Sequence, residues 1–309
     1  MKTIYIFGGG AVGAPLACFL KSENRPVCLV RTRVGSVCSA TTTIRMQTRE
    51  KTFQRSVPSV TLDELDSVNG IIVITSKTYA NASFASRLKG KYTGGPIILA
   101  QNGLNVEREF QRLGYPTLGR AVLYLTSEAA GESRQASFVF RPIAASMIGP
   151  VCGNPDEIEA AAKLLHTTHF PFEYRDDIEL PVLKKAIINV IYNSICPLLE
   201  VDNGIFHREP SLASLVDALI EECLQVTQAR HLTISRESIR EQVALISQKS
   251  KQLISTLQDI QNARDTEMEY LNLEFLRIAH SLNLEGQMPL VSALGQLIVA
   301  KSKLAQSQS

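Results

Sequence analysis

The 309-residue sequence predicts an α/β protein, an N-terminal sheet domain followed by an all-α C-terminal domain. Three observations predict it. Apolar runs of strand length alternate with helical patterns through the first half of the chain. The first run leads straight into Gly8-x-Gly10-x-x-Gly13 and a helix. Beyond the stretch Arg175 to Ile178 the strand patterns stop and the apolar period is helical. The expected domains are therefore 1–175 and 176–309.

Ile4, Tyr5, Ile6 and Phe7 form the first strand, and a helical pattern runs from Ala11 to Leu20. Of the three motif glycines, the first permits a tight turn, the second lets backbone approach a pyrophosphate, and the third lets helix pack closely on strand. The helix N-terminus then offers unpaired N–H groups and a partial positive charge to an anion. Pro15 falls within the first turn or so, where its missing N–H costs least. A second apolar strand follows at Val27 to Val30. Together these predict a Rossmann-type dinucleotide-binding domain, with Gly8, Gly9, Gly10, Ala11, Val12 and Gly13 as the cofactor-binding turn. The competing reading is an ordinary glycine-rich turn.

The second strand ends in Arg31, where an NAD-binding motif would carry an acidic residue for the ribose hydroxyls. Arg31, helped by Arg33, can instead pair with a 2′-phosphate through charge-assisted, bidentate contacts, so the expected cofactor is NADP (NADPH). A solvated strand end is the alternative.

The Thr-rich stretch from Cys38 to Val57 predicts short strands around Thr43, Arg45 and Phe53, in place of a simple βαβ continuation. Leu62 to Leu65 reads as a short helix, and Gly70 to Thr75 as a buried parallel strand. Ser76-Lys77-Thr78 and a helix from about Ala80 to Leu88 follow it. The strand Pro96 to Ala100 leads into Gln101-Asn102-Gly103. Lys77 and Asn102 therefore both stand at carboxyl ends of strands, the edge where open α/β sheets bind ligands. A solvated lysine and a turn asparagine are the plainer readings. Leu118 to Thr126, Ala136 to Phe140 and Ala144 to Ile148 read as strands of a more antiparallel region. Pro155 to Leu165 is a helix opened by acidic residues, and Phe170 to Tyr174 the last strand.

Composition is that of an ordinary soluble protein, with 45% hydrophobic and 20% charged residues and a net charge of +2. That balance makes no electrostatic case for nucleic acid. No stretch reads as a membrane span or a signal peptide, and the expected location is the cytoplasm. The six cysteines show no C-x-x-C pair and read as reduced core residues. His166 and His169 could share a helix face, but no ligand set surrounds them, and no metal is expected.

Glu179 to Leu199 is a long apolar segment on which Lys185, Asn189 and Asn193 recur every fourth residue. On a helix they form one polar stripe, facing either a pocket or a solvated edge.

With that stripe the chain resembles the ketopantoate reductase family. The resemblance is carried by GGGAVG, Arg31, Lys77, ILAQNGLNVE at Ile98 to Glu107, the K-x-x-x-N-x-x-x-N helix, Asn203-Gly204, and STLQD with TEMEYLN between Ser255 and Asn272. These occur in the family's order over nearly the whole chain. The resemblance implies NADPH-dependent reduction of a small branched 2-oxo acid to the 2-hydroxy acid, 2-dehydropantoate to pantoate in pantothenate biosynthesis. Lys185 matches the general acid, and Glu267 a residue close to that lysine and to the nicotinamide ribose. Asn189, Asn193, Asn203 and Ser255 match substrate-contacting positions, and Asn102 one shared between cofactor and substrate. From the residues alone, Ser255-x-x-Gln258 is also a capping box, and Glu267 a solvated helical charge beside Asp265 and Glu269.

Two departures from the family pattern bear on the substrate. A glycine- and histidine-containing strand pair is replaced by SFVFRPIAAS at Ser137 to Ser146, and Leu273 stands where glycine usually follows Asn272. They leave open a related NADP-dependent reductase of another 2-oxo acid, or a non-catalytic NADP-binding sensor. The long helices from Leu212 to Lys303 could serve a monomer core or a homodimer interface. The helical domain is expected to close over the carboxyl edge of the sheet.

Overall fold

The computed structural model describes residues 2–32, 40–130, 136–284 and 286–308. Two compact units make up the chain, Met1–Gln101 with Val106–Ile178, and Asn102–Asn105 with Glu179–Ser309. The division falls after Ile178, within the stretch Arg175 to Ile178 where the strand patterns stop, and Arg175 N–H still donates to the Ile148 carbonyl (2.8 Å), prolonging the sheet ladder.

In the first unit, β1 (Ile4–Phe7), α1 (Gly13–Ser22) and β2 (Val27–Arg31) are followed by β3 (Thr41–Gln47), β4 (Thr52–Thr61), β5 (Val68–Asn69) and β6 (Ile71–Ile74). Then come α2 (Asn81–Lys89), β7 (Tyr92–Gly94), β8 (Ile97–Leu99), α3 (Arg108–Arg112) and β9 (Leu118–Val122). The unit ends with β10 (Leu125–Ala129), β11 (Ala136–Pro142), β12 (Ser146–Cys152), α4 (Pro155–Leu165) and β13 (Phe172–Tyr174). Among the described residues one sheet runs in the order β10-β11-β3-β4-β2-β1-β6-β8-β9-β12-β13. Its centre, from β4 through β9, is parallel. The strands β6 and β8 are buried at every residue, as parallel strands covered on both faces must be.

Where β4 pairs with β3 the buried and exposed residues alternate. In β3, Ile44 and Met46 are buried while Arg45 is exposed, and in β4 Phe53 and Val57 point inward. The inward residues meet α1, where Phe19 packs its ring on Phe53 and Phe140 at 5.3 and 5.1 Å.

Several expectations need correction. The strands around Thr43 and Phe53 are a full antiparallel hairpin of seven and ten residues. Leu62 to Leu65 forms a turn, closed by Leu65 N–H donating to the Leu62 carbonyl (3.3 Å); four residues are too few to nucleate a helix. The expected strand Leu118 to Thr126 is two, because β9 pairs with β8 and β12 while β10 changes partner to β11. His166 and His169 share no helix face. His166 follows the last turn of α4, and the His169 ring packs on Phe53 at 4.7 Å.

The second unit is helical at every regular element described: α5 (Glu179–Leu199), α6 (Ile205–Arg208), α7 (Ala213–Ala229), α8 (Arg236–Lys249), α9 (Ser255–Gln261), α10 (Asn272–Ser281) and α11 (Pro289–Ser307). Its core is built around α5, whose Ile187, Val190, Ile191 and Ile195 pack with Leu219, Ile220 and Cys223 of α7. The buried Glu222 carboxylate accepts from the Leu290 and Val291 N–H groups (both 2.9 Å), capping α11 where its backbone donors would be unpaired. By length and composition α5 could cross a membrane, against the expectation that no stretch would; 67% of that stretch is buried.

Candidate active site

In the first unit the candidate residues gather at the end of β1. Gly8 takes a φ of +119°, open to glycine at no steric cost, and donates its N–H to the Val30 carbonyl (3.1 Å). The Thr75 hydroxyl donates to the carbonyls of Phe7 and Gly8 (3.1 and 3.0 Å), tying the turn to β6. A Cβ on Gly13 would lie 1.9 Å from the Gly8 carbonyl oxygen, so the helix can start this close to the strand only with glycine there. Gly10 differs, because among the described residues a Cβ there would meet nothing within 4 Å. Ala11 and Val12 pack partly buried against the core. Among the described residues no side-chain cap bond is made at Val12, the N-cap of α1, and no acidic residue lies in its first turn.

Arg31 reaches back over this turn. A Cβ on Gly9 would come within 2.8 Å of its Nη1, and its Nη2 donates to the Thr42 hydroxyl (3.1 Å). Its expected helper, Arg33, lies outside the described residues. Lys77 is half-buried just past β6 and in extended conformation, leading into a single 3₁₀ turn at Thr78–Ala80.

Beside it the Ser76 hydroxyl is buried and has no hydrogen-bond partner among the described residues. Ser76 belongs among the candidate residues for that reason. Nothing in the sequence marks an orphaned hydroxyl, since burial and pairing are set by distant neighbours.

Behind this edge, Gln101 Nε2 donates to the Ser76 carbonyl (2.6 Å) and exchanges amide hydrogen bonds with Asn81. Arg120 pairs with Glu107 (2.9 Å) and donates to the Gln101 carbonyl (3.3 Å). The network braces the strand ends through buried polar side chains that bond one another.

In the second unit, the stripe on α5 is unequal along its length. Lys185 and Asn189 are half-buried, and the Asn189 side-chain amide has no hydrogen-bond partner among the described residues. Asn193 is only 3% exposed and committed at both ends of its amide. Its Nδ2 donates to the Asn189 carbonyl (2.7 Å), and its Oδ1 accepts from the Thr256 hydroxyl (2.6 Å). Thr256, missed in the sequence, thus joins α9 to the stripe.

Asn203 is committed likewise, donating to the Ser250 hydroxyl (3.2 Å) and accepting from the Gln252 N–H (3.1 Å). Just before it, the Arg208 guanidinium bonds Asp202 and holds that carboxyl below its usual range.

Ser255 is exposed as the first residue of α9, and it makes no capping box. Ile254 holds the cap position without a side-chain bond, and Gln258 donates instead to the Leu253 carbonyl (2.9 Å). Glu267 is buried at 8% exposure just ahead of the 3₁₀ turn Met268–Tyr270, so it is no solvated helical charge. That turn also holds the loop carrying Asn102. Leu104 N–H donates to the Tyr270 carbonyl (2.7 Å), and Asn105 Nδ2 to the buried Glu274 (2.7 Å). Asn102 itself is half-buried.

The family model of ketopantoate reductase PanE/ApbA matches residues 4–150, and that of its C-terminal part residues 177–302. A 2-dehydropantoate 2-reductase of Pyrococcus horikoshii is 23% identical over 310 aligned positions, spanning 97% of this chain and 98% of that protein. The fold matches a PanE/ApbA family ketopantoate reductase from Ralstonia eutropha with a TM-score of 0.85 at 21% identity, over 98% of this chain and 99% of that one. It matches a D-mandelate dehydrogenase, solved with NADH and anilino(oxo)acetate, with a TM-score of 0.83 at 18% identity and the same coverage.

Proposed function

The chain belongs to the ketopantoate reductase family, and from that premise we propose that it reduces a small branched 2-oxo acid with NADPH, 2-dehydropantoate to pantoate being the foremost candidate. The observation that carries the reading is the α5 stripe, where half-buried Lys185 stands one turn before Asn189 with its unpaired amide. An ammonium and an amide donor on one helix face suit a 2-oxo acid, which presents a carbonyl and a carboxylate side by side.

The residues of the first unit suit a dinucleotide. Gly10 leaves its backbone open for a pyrophosphate, the uncapped start of α1 complements its charge, and the orphaned Ser76 hydroxyl awaits a partner. Arg31, steadied by Thr42 over Gly9, is the group for the 2′-phosphate. When bound, NADPH supplies the hydride for the carbonyl carbon.

Lys185 supplies the proton to the carbonyl oxygen, the role of a lysine ammonium as general acid. Its positive charge also stabilises the oxygen as negative charge develops there. Buried Glu267 is assigned to orient the lysine, and Asn189 and Asn102 to hold the substrate. Asn193 and Asn203 act through position, since their amides already serve the protein. That commitment favours a second reading within the same chemistry, a 2-oxo acid other than 2-dehydropantoate. The fold relative that binds anilino(oxo)acetate makes aryl 2-oxo acids the set to try.

Lys185→Ala is the test, assayed by NADPH oxidation against branched and aromatic 2-oxo acids. It should lower kcat/KM by roughly 10²- to 10⁴-fold with thermal stability retained. Near wild-type turnover would remove the general-acid role, and tight NADPH binding without turnover on any 2-oxo acid would favour a sensor.

A further inference from the structure

The loop Asn102–Asn105 belongs to the helical unit, whereas Gln101 before it and Val106 after it belong to the sheet unit. It folds back through two left-handed positions, Gly103 at a φ of +102° and Asn105 at +50°. Gly103 approaches the 3₁₀ turn Met268–Tyr270 so closely that a Cβ on it would lie 2.5 Å from the Tyr270 carbonyl oxygen. Leu104 donates its N–H to that same carbonyl (2.7 Å), and its side chain is buried in the core around α5. Backbone contacts thus fix the middle of the loop.

A side chain fixes its far end. Asn105 Nδ2 donates to Glu274 Oε1 (2.7 Å), and Arg277 Nη1 donates to Glu274 Oε2 (2.9 Å). Glu274 is 0% exposed. Burying a carboxylate is costly unless its oxygens are met, so the charge holds both partners in place. Arg277 is held in turn by the Glu269 carbonyl (2.7 Å) and carboxylate. An acid in the first turn of α10 also suits the helix dipole, but that effect requires no burial and no bond to a distant loop. The residue at the other end is equally specific. Glycine is the default at a positive φ, and asparagine is among the few residues that accept it while offering a donor.

We propose that Asn105 and Glu274 are positioning residues for Asn102, their bond holding the loop in the shape that presents the Asn102 amide to the 2-oxo acid. The role rests on the reading of Asn102 as a substrate-holding residue. A hydrogen bond to an ionised acceptor is roughly twice as strong as a neutral one, so α10 grips the loop firmly through a single side chain. A loop already held loses little freedom when substrate arrives, and the benefit falls on KM more than on kcat.

Reversing the polarity of the bond in the full chain tests the role. Asn105→Asp sets two carboxylates face to face, and Glu274→Gln removes the charge that draws both partners. Each alone should raise KM for the 2-oxo acid roughly tenfold and leave kcat within about twofold. In the double variant the new amide can donate to the new carboxylate and still accept from Arg277, so KM should return to within about threefold of wild type. Asn105→Gly, which keeps the turn and removes only the donor, should raise KM as the single variants do. Combined with Asn102→Ala, Asn105→Asp should add less than about twofold, because the loop then has no amide to place. Hydrogen exchange of the loop peptide, measured by mass spectrometry, should quicken in each single variant and slow again in the double one. Single variants with wild-type KM while Asn102→Ala raises it, no rescue in the double variant, or full additivity with Asn102→Ala would overturn the positioning role alone. A wild-type KM in Asn102→Ala would remove Asn102 from the substrate site, and the positioning role with it.

Discussion

Arg31 illustrates how a role proposed for one side chain depends on its neighbours. Its guanidinium bonds Thr42 and lies over Gly9, so its direction is set before any ligand arrives. Arg31→Ala should raise KM for NADPH roughly ten- to a hundred-fold, the loss expected for a charge-assisted bond, and leave KM for NADH nearly unchanged. Thr42→Val, which only frees the guanidinium, should shift KM the same way by less. Equal KM values for the two nucleotides in wild type would discard the 2′-phosphate role. The arginine was legible as a strand-terminal residue in place of an acid. Thr42 was not, because its contact crosses from β2 to β3 and no spacing encodes it.

At the scale of elements, the joint between α5 and α9 includes a buried hydrogen bond from Thr256 to Asn193. Thr256→Val keeps the shape but leaves the Asn193 carbonyl oxygen unpaired, which should cost about 1–3 kcal/mol. Differential scanning calorimetry should register a lower melting temperature, and KM for the 2-oxo acid should rise as α5 loses its brace. A variant matching wild type in both would show the bond to be dispensable. The 3.6-residue period marked α5, and the acidic start marked α4, whose observed bounds are the expected ones. The period could not show that Asn193 faces protein while Asn189 does not. Both lie on one stripe, and only the packing of α9 against one end of it separates them. The capping box at Ser255 failed for a related reason, the cap position falling one residue earlier at Ile254.

Across the whole molecule, free thiols report on each unit separately. Burial pushes Cys18 in the first unit up to about 11. In the second unit, burial with the nearby Asp202 carboxylate adding to it pushes Cys196 up to about 12, and burial likewise raises Cys223. These thiols should resist labelling at neutral pH until their own unit opens. NADPH at a hundredfold excess over its Kd should stabilise the first unit by about 2.7 kcal/mol and slow Cys18 labelling roughly a hundredfold. Cys196 and Cys223 should change far less; equal slowing of all three would mean that the units open as one. The same thiols set an alkaline limit. Their folded pKa values exceed the unfolded value of 9.0, so their stabilising share is complete below pH 9. It is lost as pH rises through the range 9 to 12, where the unfolded chain gives up protons first.

By itself the sequence determined the α/β order, the glycine turn, the all-helical second half and the family, since local period and short motifs are properties of neighbours along the chain. Tertiary structure decided which polar groups stay available. Asn193 and Asn203 are taken up by Thr256, Ser250 and Gln252, while the Ser76 hydroxyl has no partner among the described residues. Hydrogen-bond pairing is settled between residues far apart in the chain, after packing has fixed which of them meet.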